Sequence, residues 1–131
     1  MPESNKFTCI LAEDHAIIRD VTKEQLELLP WLVVSGEATD GQQALDMIVE
    51  QRPHLAVLDL RMPLLSGFQV ASAAQEADIP TRIVVFSAFD NPDNTELAAR
   101  LGVSLVAKVA GMNRLVEALE CIKEELTLAV D

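Results

Sequence analysis

The sequence predicts a doubly wound α/β domain, in which helices cover both faces of a five-stranded parallel sheet. Five short apolar runs alternate along the chain with longer segments of helical periodicity. The runs are apolar on both faces, which is typical of parallel strands buried between two layers of helices. With 131 residues, half of them apolar, the chain has the size and core of one domain.

The first half of the chain contains three of the runs and two helical segments. In order, these are a strand at 7–12, a helix at 15–29, a strand at 32–38, a helix at 41–51 and a strand at 55–58. Pro30 and Pro53 end the two helices, since proline cannot continue the hydrogen-bond ladder. The apolar faces are marked by Ile17, Ile18, Val21, Leu26 and Leu29 in the first helix, and by Leu45, Ile48 and Val49 in the second.

The second half continues the alternation to the end of the domain. In order, it contains a helix at 67–77, a strand at 83–86, a helix ending at Arg100, a strand at 103–107 and a helix at 112–128. Ser66 is expected to cap its helix and Gly102 to follow the end of the next. The last helix has Leu115, Leu119, Ile122 and Leu126 on one face. Residues 1–6 are expected to form a tail, 7–128 the domain and 129–131 the start of a linker or a C-terminal tail.

Composition narrows the possible partners and compartments. A formal net charge of −11 argues against direct binding of nucleic acid or an anionic membrane, and it is compatible with a divalent cation or a basic protein partner. Cys9 and Cys121 form no CxxC pair, so we expect two reduced packing residues. The chain has no membrane-spanning apolar segment and no signal peptide, which predicts a cytoplasmic location.

Residues capable of chemistry follow the predicted strands. Glu13 and Asp14 follow the first, Asp59 ends the third, Ser87 follows the fourth and Lys108 follows the fifth. In open parallel sheets the carboxyl ends of the strands form the ligand-binding edge. Singly, each residue has an ordinary interpretation as a helix cap, a turn residue or a solvated charge, and the neighbouring histidine reads as a surface or capping residue. Together they favour a functional site.

Each residue type has a physical role at such an edge. Clustered carboxylates repel one another and are best tolerated around a hard cation, and oxygen ligands suit Mg²⁺. A carboxylate can also attack phosphorus to form an aspartyl-phosphate. A lysine and a hydroxyl can then neutralise charge on the transferred group.

Four motifs resemble the receiver (CheY-like) domain of two-component response regulators. They are ILAEDH, AVLDLRMPLLSG, VVFSAF and VAK, and the resemblance extends from Phe7 to about Leu128. Two segments, EATDGQQAL and DLRMPLLSG, look most like the LuxR/NarL-type branch. The resemblance implies a flavodoxin-like fold with strand order 2-1-3-4-5.

The resemblance also implies roles for individual residues. Asp59 would accept a phosphoryl group from a sensor histidine kinase, and Ser87 and Lys108 would contact that group. Arg61 and Phe89 would flank the route of the hydrolytic water. Neither side chain can orient water as a general base would, so a long-lived phosphoryl group is expected.

A Mg²⁺ site is implied by the same resemblance. Asp14 and Asp59 would bind the ion directly, Glu13 through a water, and Arg61 through its backbone carbonyl. Glu13 is a departure, because aspartate is commoner there. Leu105 stands where a switch aromatic is frequent, and Val109 stands where proline or aspartate often follows the lysine.

The predicted function is a response regulator that controls transcription through a C-terminal DNA-binding domain, with a possible homodimer through the first and last helices. As an enzyme it would catalyse only its own phosphorylation and dephosphorylation. A stand-alone receiver that acts through protein contacts is the main alternative. A phosphatase of the haloacid dehalogenase type is disfavoured because Arg61 replaces the required second acid. A flavin carrier is disfavoured because three acids would repel the FMN phosphate.

Overall fold

The computed structural model describes residues 6–88 and 91–129. Its strands are β1 (Phe7–Ala12), β2 (Leu32–Ala38), β3 (Leu55–Leu58), β4 (Arg82–Ser87) and β5 (Ser104–Ala107). Its helices are α1 (Ala16–Glu27), α2 (Gly41–Gln51), α3 (Gly67–Glu76), α4 (Pro92–Leu101) and α5 (Met112–Ala129), with a 3₁₀ turn at Lys108–Ala110. All strand pairs are parallel and the order is β2-β1-β3-β4-β5, so the predicted sheet and strand order are confirmed.

The sheet separates two hydrophobic clusters. Alternate residues of a strand point to opposite faces, and Ile10 and Leu11 of β1 accordingly enter different clusters. Helices α2, α3 and α4 cover the Ile10 side, and α1 and α5 cover the Leu11 side. Each fully buried aliphatic side chain contributes about 1.5–3 kcal/mol of transfer free energy, so the two clusters make the strands a rigid support for the loops at their ends.

Local capping signals begin and end the helices where the sequence predicts. The Ser66 hydroxyl accepts from the Gln69 amide at 3.1 Å, and the Gln69 side chain accepts from the Ser66 amide at 2.9 Å, which forms a reciprocal capping box. Asp40 caps α2 by accepting from the Gln43 amide at 2.7 Å. Gly102 adopts φ of 70° after α4, which confirms its expected position.

The expected apolar faces of α1 and α2 are partly wrong. Ile17 and Val21 are 79% and 51% exposed, whereas Thr22 and Leu26 are the buried residues of α1. Val49 of α2 is also half-exposed. A helix resting on a sheet buries one narrow stripe. Because α1 has apolar residues on two stripes, periodicity alone could not select the stripe that faces the sheet.

The two cysteines occupy different environments. Cys9 is completely buried in β1, and burial raises the pKa of its thiol to about 12, so it acts as an inert packing residue. Cys121 is exposed on α5, so the packing interpretation is wrong for this residue. Both are free thiols.

No helix in the described parts of the chain is long and apolar enough to cross a membrane.

Candidate functional site

Three strands deliver charged side chains to the carboxyl edge of the sheet. The ladder continues one residue beyond β1 and β3, since the Glu13 amide donates to Ala38 O at 3.0 Å and the Asp59 amide donates to Ala12 O at 2.9 Å. Lys108 follows β5 directly. The parallel register therefore fixes where these side chains start, and the sequence prediction of a shared edge is confirmed for these residues.

Lys108 joins the two buried acids. Its Nζ lies 2.7 Å from Glu13 Oε1 and 3.4 Å from Asp59 Oδ2. The Glu13 side chain is only 4% exposed and that of Asp59 10%. The shorter distance shows that Glu13, expected to act through a metal-bound water, is the closer counterion of Lys108.

The buried charges at this edge shift one another's pKa values. Burial, followed by the Glu13 charge, raises the pKa of Asp59 to about 6, against the opposing attraction of Lys108. Burial also acts to raise the pKa of Glu13, but hydrogen bonds from Lys108 and the His15 amide outweigh it and lower that pKa. Although burial opposes it, the two carboxylates raise the pKa of Lys108 and keep it cationic.

Asp14 and His15 lie at the solvent side of the same edge. His15 Nδ1 is 3.4 Å from Glu13 Oε2 and 3.4 Å from Asp14 Oδ1. The capping interpretation of Asp14 is wrong, since His15 occupies the N-cap position of α1 and makes no side-chain capping bond. With Glu13, Asp14, Asp59 and one lysine, the edge holds two excess negative charges at neutral pH, which suits one divalent cation.

The loop that follows Asp59 is held by two close backbone approaches. A Cβ atom on Gly67 would lie 2.6 Å from Asp59 O, and one on Gly41 would lie 2.0 Å from Leu65 O. Only glycine fits at these positions, so α2 and α3 both begin against the loop. Arg61 is exposed in this loop, two residues beyond the candidate nucleophile.

The end of β4 differs from the sequence prediction. Ser87, predicted to follow the fourth strand, is instead the last residue of β4 and is fully buried. The β4 strand extends through Ser87 and pairs it with Ala107, and this pairing draws the serine into the sheet. Phe89 lies outside the described residues. Leu105 packs against the hydrophobic cluster beside β4.

Sequence reasoning missed Arg19. Its Nη1 donates to Glu13 O at 2.8 Å, and its Nε lies 3.7 Å from Glu37 Oε1, so it ties the segment after β1 to α1 and β2. An arginine six residues beyond an acid pair carries no recognisable motif. Its role becomes visible only in the folded structure, where the turn into α1 brings the Arg19 side chain over the end of β1.

This fold and this arrangement of two acids and a lysine define a signalling receiver. The family model described as the response regulator receiver domain matches residues 9–120, and the chain belongs to this family.

Similar proteins place the chain near the NarL type. It is 35% identical over 124 residues to the probable transcriptional regulatory protein NarL of Mycobacterium tuberculosis, covering 93% of this chain and 57% of that protein. It is 30% identical over 102 residues to the nitrate/nitrite response regulator protein NarL of Escherichia coli, covering 78% of this chain and 47% of that protein. The solved receiver domain of the putative response regulator NarL from Mycobacterium tuberculosis superposes with a TM-score of 0.85 at 35% identity, covering 91% of this chain and 98% of that one.

The chain is thus a receiver domain of the NarL type, a signalling domain. It spans about half the length of the curated relatives it matches. Receiver domains generally bind Mg²⁺ at an acidic pocket. The acidic edge described above fits such an ion by charge and by its oxygen ligands.

Proposed function

We propose that Asp59 accepts a phosphoryl group from the phosphohistidine of a sensor histidine kinase. A carboxylate oxygen of Asp59 attacks phosphorus, an O–P bond forms and the P–N bond to histidine breaks. The observation that carries the proposal is the position of Asp59, buried at the carboxyl edge with Lys108 Nζ 3.4 Å away. The ammonium is near enough to stabilise charge on the arriving phosphoryl oxygens.

The acidic edge would hold Mg²⁺ for this reaction. The proposed ligands are the carboxylates of Asp14 and Asp59 and the backbone carbonyl of Arg61, with Glu13 acting through water. When bound, the ion supplies neutralisation of negative charge between the carboxylates and the phosphoryl group. The exposed Asp14 side chain faces the route by which a hydrated cation arrives.

Lys108 would change partners during the reaction. In the structure its closest carboxylate contact is Glu13 Oε1 at 2.7 Å. Once the phosphoryl group is on Asp59, its oxygens lie nearer the ammonium and compete with Glu13. Ser87, at the end of the neighbouring strand, would donate its hydroxyl to another phosphoryl oxygen, and Leu105 would follow by repacking rather than by hydrogen bonding.

The output of this switch is proposed to be transcription control. The chain spans 57% of its NarL relative, which leaves room in that protein for a second domain, and we propose that DNA is bound by such a domain and not by this acidic chain. The proposed compartment is the cytoplasm, where histidine kinases draw on ATP. The alternative is a receiver of the same fold that acts alone through protein contacts, and the coding sequence after residue 131 distinguishes the two.

A homodimer is proposed through α1 and α5. Ile17 and Leu128 are exposed apolar residues on these two helices. Sedimentation velocity with and without the beryllofluoride phosphoryl mimic tests this: Ile17→Glu should abolish any mimic-dependent increase in mass, and an increase unchanged in that variant would contradict it.

Intact mass spectrometry tests the phosphoacceptor. Incubation with acetyl phosphate and Mg²⁺ should add one phosphoryl group to the wild type and none to Asp59→Asn. Asp78→Asn, an isosteric change at the exposed end of α3, is the matched control and should react at the wild-type rate. Phosphorylation of Asp59→Asn at the wild-type rate would overturn the proposal, and so would Mg²⁺-independent reaction of the wild type.

A further inference from the structure

Three ligating side chains converge where β1 turns into α1. His15 Nδ1 lies 3.4 Å from an oxygen of Glu13 and 3.4 Å from an oxygen of Asp14, and the three ligating atoms lie within 4.8 Å of one another. The Mg²⁺ site proposed above uses Glu13 and Asp14, together with Asp59 and the Arg61 carbonyl, but not the imidazole of His15. The imidazole is therefore an additional nitrogen donor beside them, and oxygen-preferring Mg²⁺ does not explain it.

The spacing fits a four-coordinate ion. Zn²⁺ binds imidazole nitrogen and carboxylate oxygen at about 2.0–2.2 Å in tetrahedral geometry, which places neighbouring ligands about 3.3–3.6 Å apart. Both distances from His15 Nδ1 fall in that interval, and the Glu13 and Asp14 oxygens lie within 4.8 Å of each other. Octahedral Mg²⁺, with ligands at about 2.0–2.1 Å, requires neighbours about 2.9 Å apart. Imidazole is also a preferred ligand of Zn²⁺ and a poor one for Mg²⁺.

Surrounding hydrogen bonds hold these ligands in place. The His15 amide donates to Glu13 Oε2 at 3.2 Å, and Arg19 Nη1 donates to Glu13 O at 2.8 Å. Lys108 occupies the other carboxylate oxygen, Oε1, and so leaves Oε2 facing His15. Partners of this kind orient metal ligands in established sites. The His15 side chain is 70% exposed and that of Asp14 35%, which gives an ion direct access from solvent.

We propose that Glu13, Asp14 and His15 form a binding site for Zn²⁺, with water as the fourth ligand. Because the site shares Glu13 and Asp14 with the proposed Mg²⁺ pocket, Zn²⁺ and Mg²⁺ compete, and Zn²⁺ inhibits phosphorylation. Binding of Zn²⁺ stands independently of the proposed phosphoacceptor function, whereas the inhibition rests on it. An ion pair between protonated His15 and the acids predicts the same spacing without metal affinity, which makes direct binding the decisive measurement.

Zinc affinity is measured by competition with a chromophoric chelator, without phosphodonor. His15→Gln should weaken Zn²⁺ binding at least about tenfold, while its Mg²⁺ affinity, measured by calorimetry, changes less than about twofold. His54→Gln is the matched control, because His54 is the other histidine of the chain and lies at the opposite end of the sheet. It should bind Zn²⁺ as the wild type does. Equal Zn²⁺ affinity in the wild type and His15→Gln would overturn the proposal.

Cobalt gives a second readout that does not depend on affinity. Co²⁺ bound to the wild type should show the intense visible absorption of four-coordinate cobalt, and His15→Gln should lose it; weak six-coordinate bands in the wild type would refute the geometry. In the acetyl phosphate reaction with Mg²⁺, added Zn²⁺ should slow the wild type more than His15→Gln, and equal slowing would refute competition at this site. If neither protein is phosphorylated even with Mg²⁺ alone, the phosphoacceptor proposal fails and the binding results still decide the zinc site.

Discussion

The two ends of the sheet are built on opposite principles. At the carboxyl end, Glu13, Asp59 and Lys108 crowd together with little exposure. At the amino end, the Phe7 ring packs edge-on against Trp31 with centroids 6.1 Å apart, and it lies 4.9 Å from the His54 ring. The carboxyl end concentrates charged groups, and aromatic packing dominates the amino end.

The polar groups of the amino end have partners of their own. The Thr8 amide donates to His54 Nδ1 at 3.1 Å, and the Thr81 hydroxyl donates to Pro53 O at 2.7 Å. Lys123 Nζ lies 5.3 Å from the Trp31 ring centroid, within cation–π range. Packed and hydrogen-bonded groups thus hold the amino edge of the sheet, whereas the candidate site lies at the carboxyl edge of the same strands.

The largest expected effect tests the amino end. Trp31→Ala removes the contacts with Phe7 and Lys123 and should lower the free energy of unfolding by about 3 kcal/mol. Phosphorylation by acetyl phosphate at 25 °C should proceed at the wild-type rate, since the ring packs against Phe7 at the edge opposite Asp59. Urea denaturation and intact mass measure the two quantities. A rate that falls along with stability would show that the ends are coupled.

Asp59→Asn is the opposite experiment, and its effect depends on pH. The folded-state pKa of Asp59 is raised from 3.8 to about 6. The contribution of this carboxyl to the free energy of unfolding is therefore fully present below pH 4 and is lost as the pH rises through 6. Between pH 4 and pH 7, the free energy of unfolding of metal-free Asp59→Asn should therefore rise by about 2 kcal/mol relative to that of the wild type. This figure allows for screening by water at the edge. The lowered pKa of Glu13 acts in the opposite sense in both proteins. Urea titrations with EDTA measure this difference. If it is independent of pH, burial and the Glu13 charge do not raise the pKa of Asp59 as described.

The lifetime of the phosphoryl group is the next effect in size. Arg61 and Phe89 are expected to flank the attacking water, and the double variant Arg61→Asn, Phe89→Ala should lose phosphate about tenfold faster, equivalent to about 1.4 kcal/mol of barrier. Decay is followed by intact mass after the phosphodonor is removed. Decay at the wild-type rate would show that these side chains do not shield the aspartyl-phosphate.

Ser87→Ala gives the smallest expected change in stability. The serine is buried, so loss of its hydroxyl should cost about 1 kcal/mol. Its larger consequence concerns signalling: amide chemical shifts in α4 should move when beryllofluoride binds the wild type and should move much less in the variant. Identical shift changes in both proteins would remove Ser87 from the switch.

Features set by periodic geometry were predictable from the sequence. Strands end where apolar runs end, and parallel strands align their carboxyl ends, so Glu13, Asp59 and Lys108 could be placed together without coordinates. Caps were predictable because they depend on a few adjacent residues, as at Ser66 and Gly102.

Features set by three-dimensional packing were not predictable. The buried stripe of α1 depends on how that helix rests on β1 and β2, so Ile17 was misplaced. The depth of Ser87 depends on how far β4 continues its pairing. Whether Lys108 lies closer to Glu13 or to Asp59 depends on side-chain length and on burial. Neither can be predicted from the spacing of these residues along the chain.

The two glycine contacts around the Asp59 loop have a consequence for variation and redesign. Gly41 leaves no room for even one methyl group against Leu65 O, and Gly67 leaves none against Asp59 O. In a saturation mutagenesis library selected for signalling, these two positions should tolerate substitution as poorly as Asp59, the proposed phosphoacceptor, although neither carries a reactive atom. When this domain is fused to a new effector domain, most exposed residues of α2 and α3 can therefore be substituted, whereas the first residue of each helix must stay glycine.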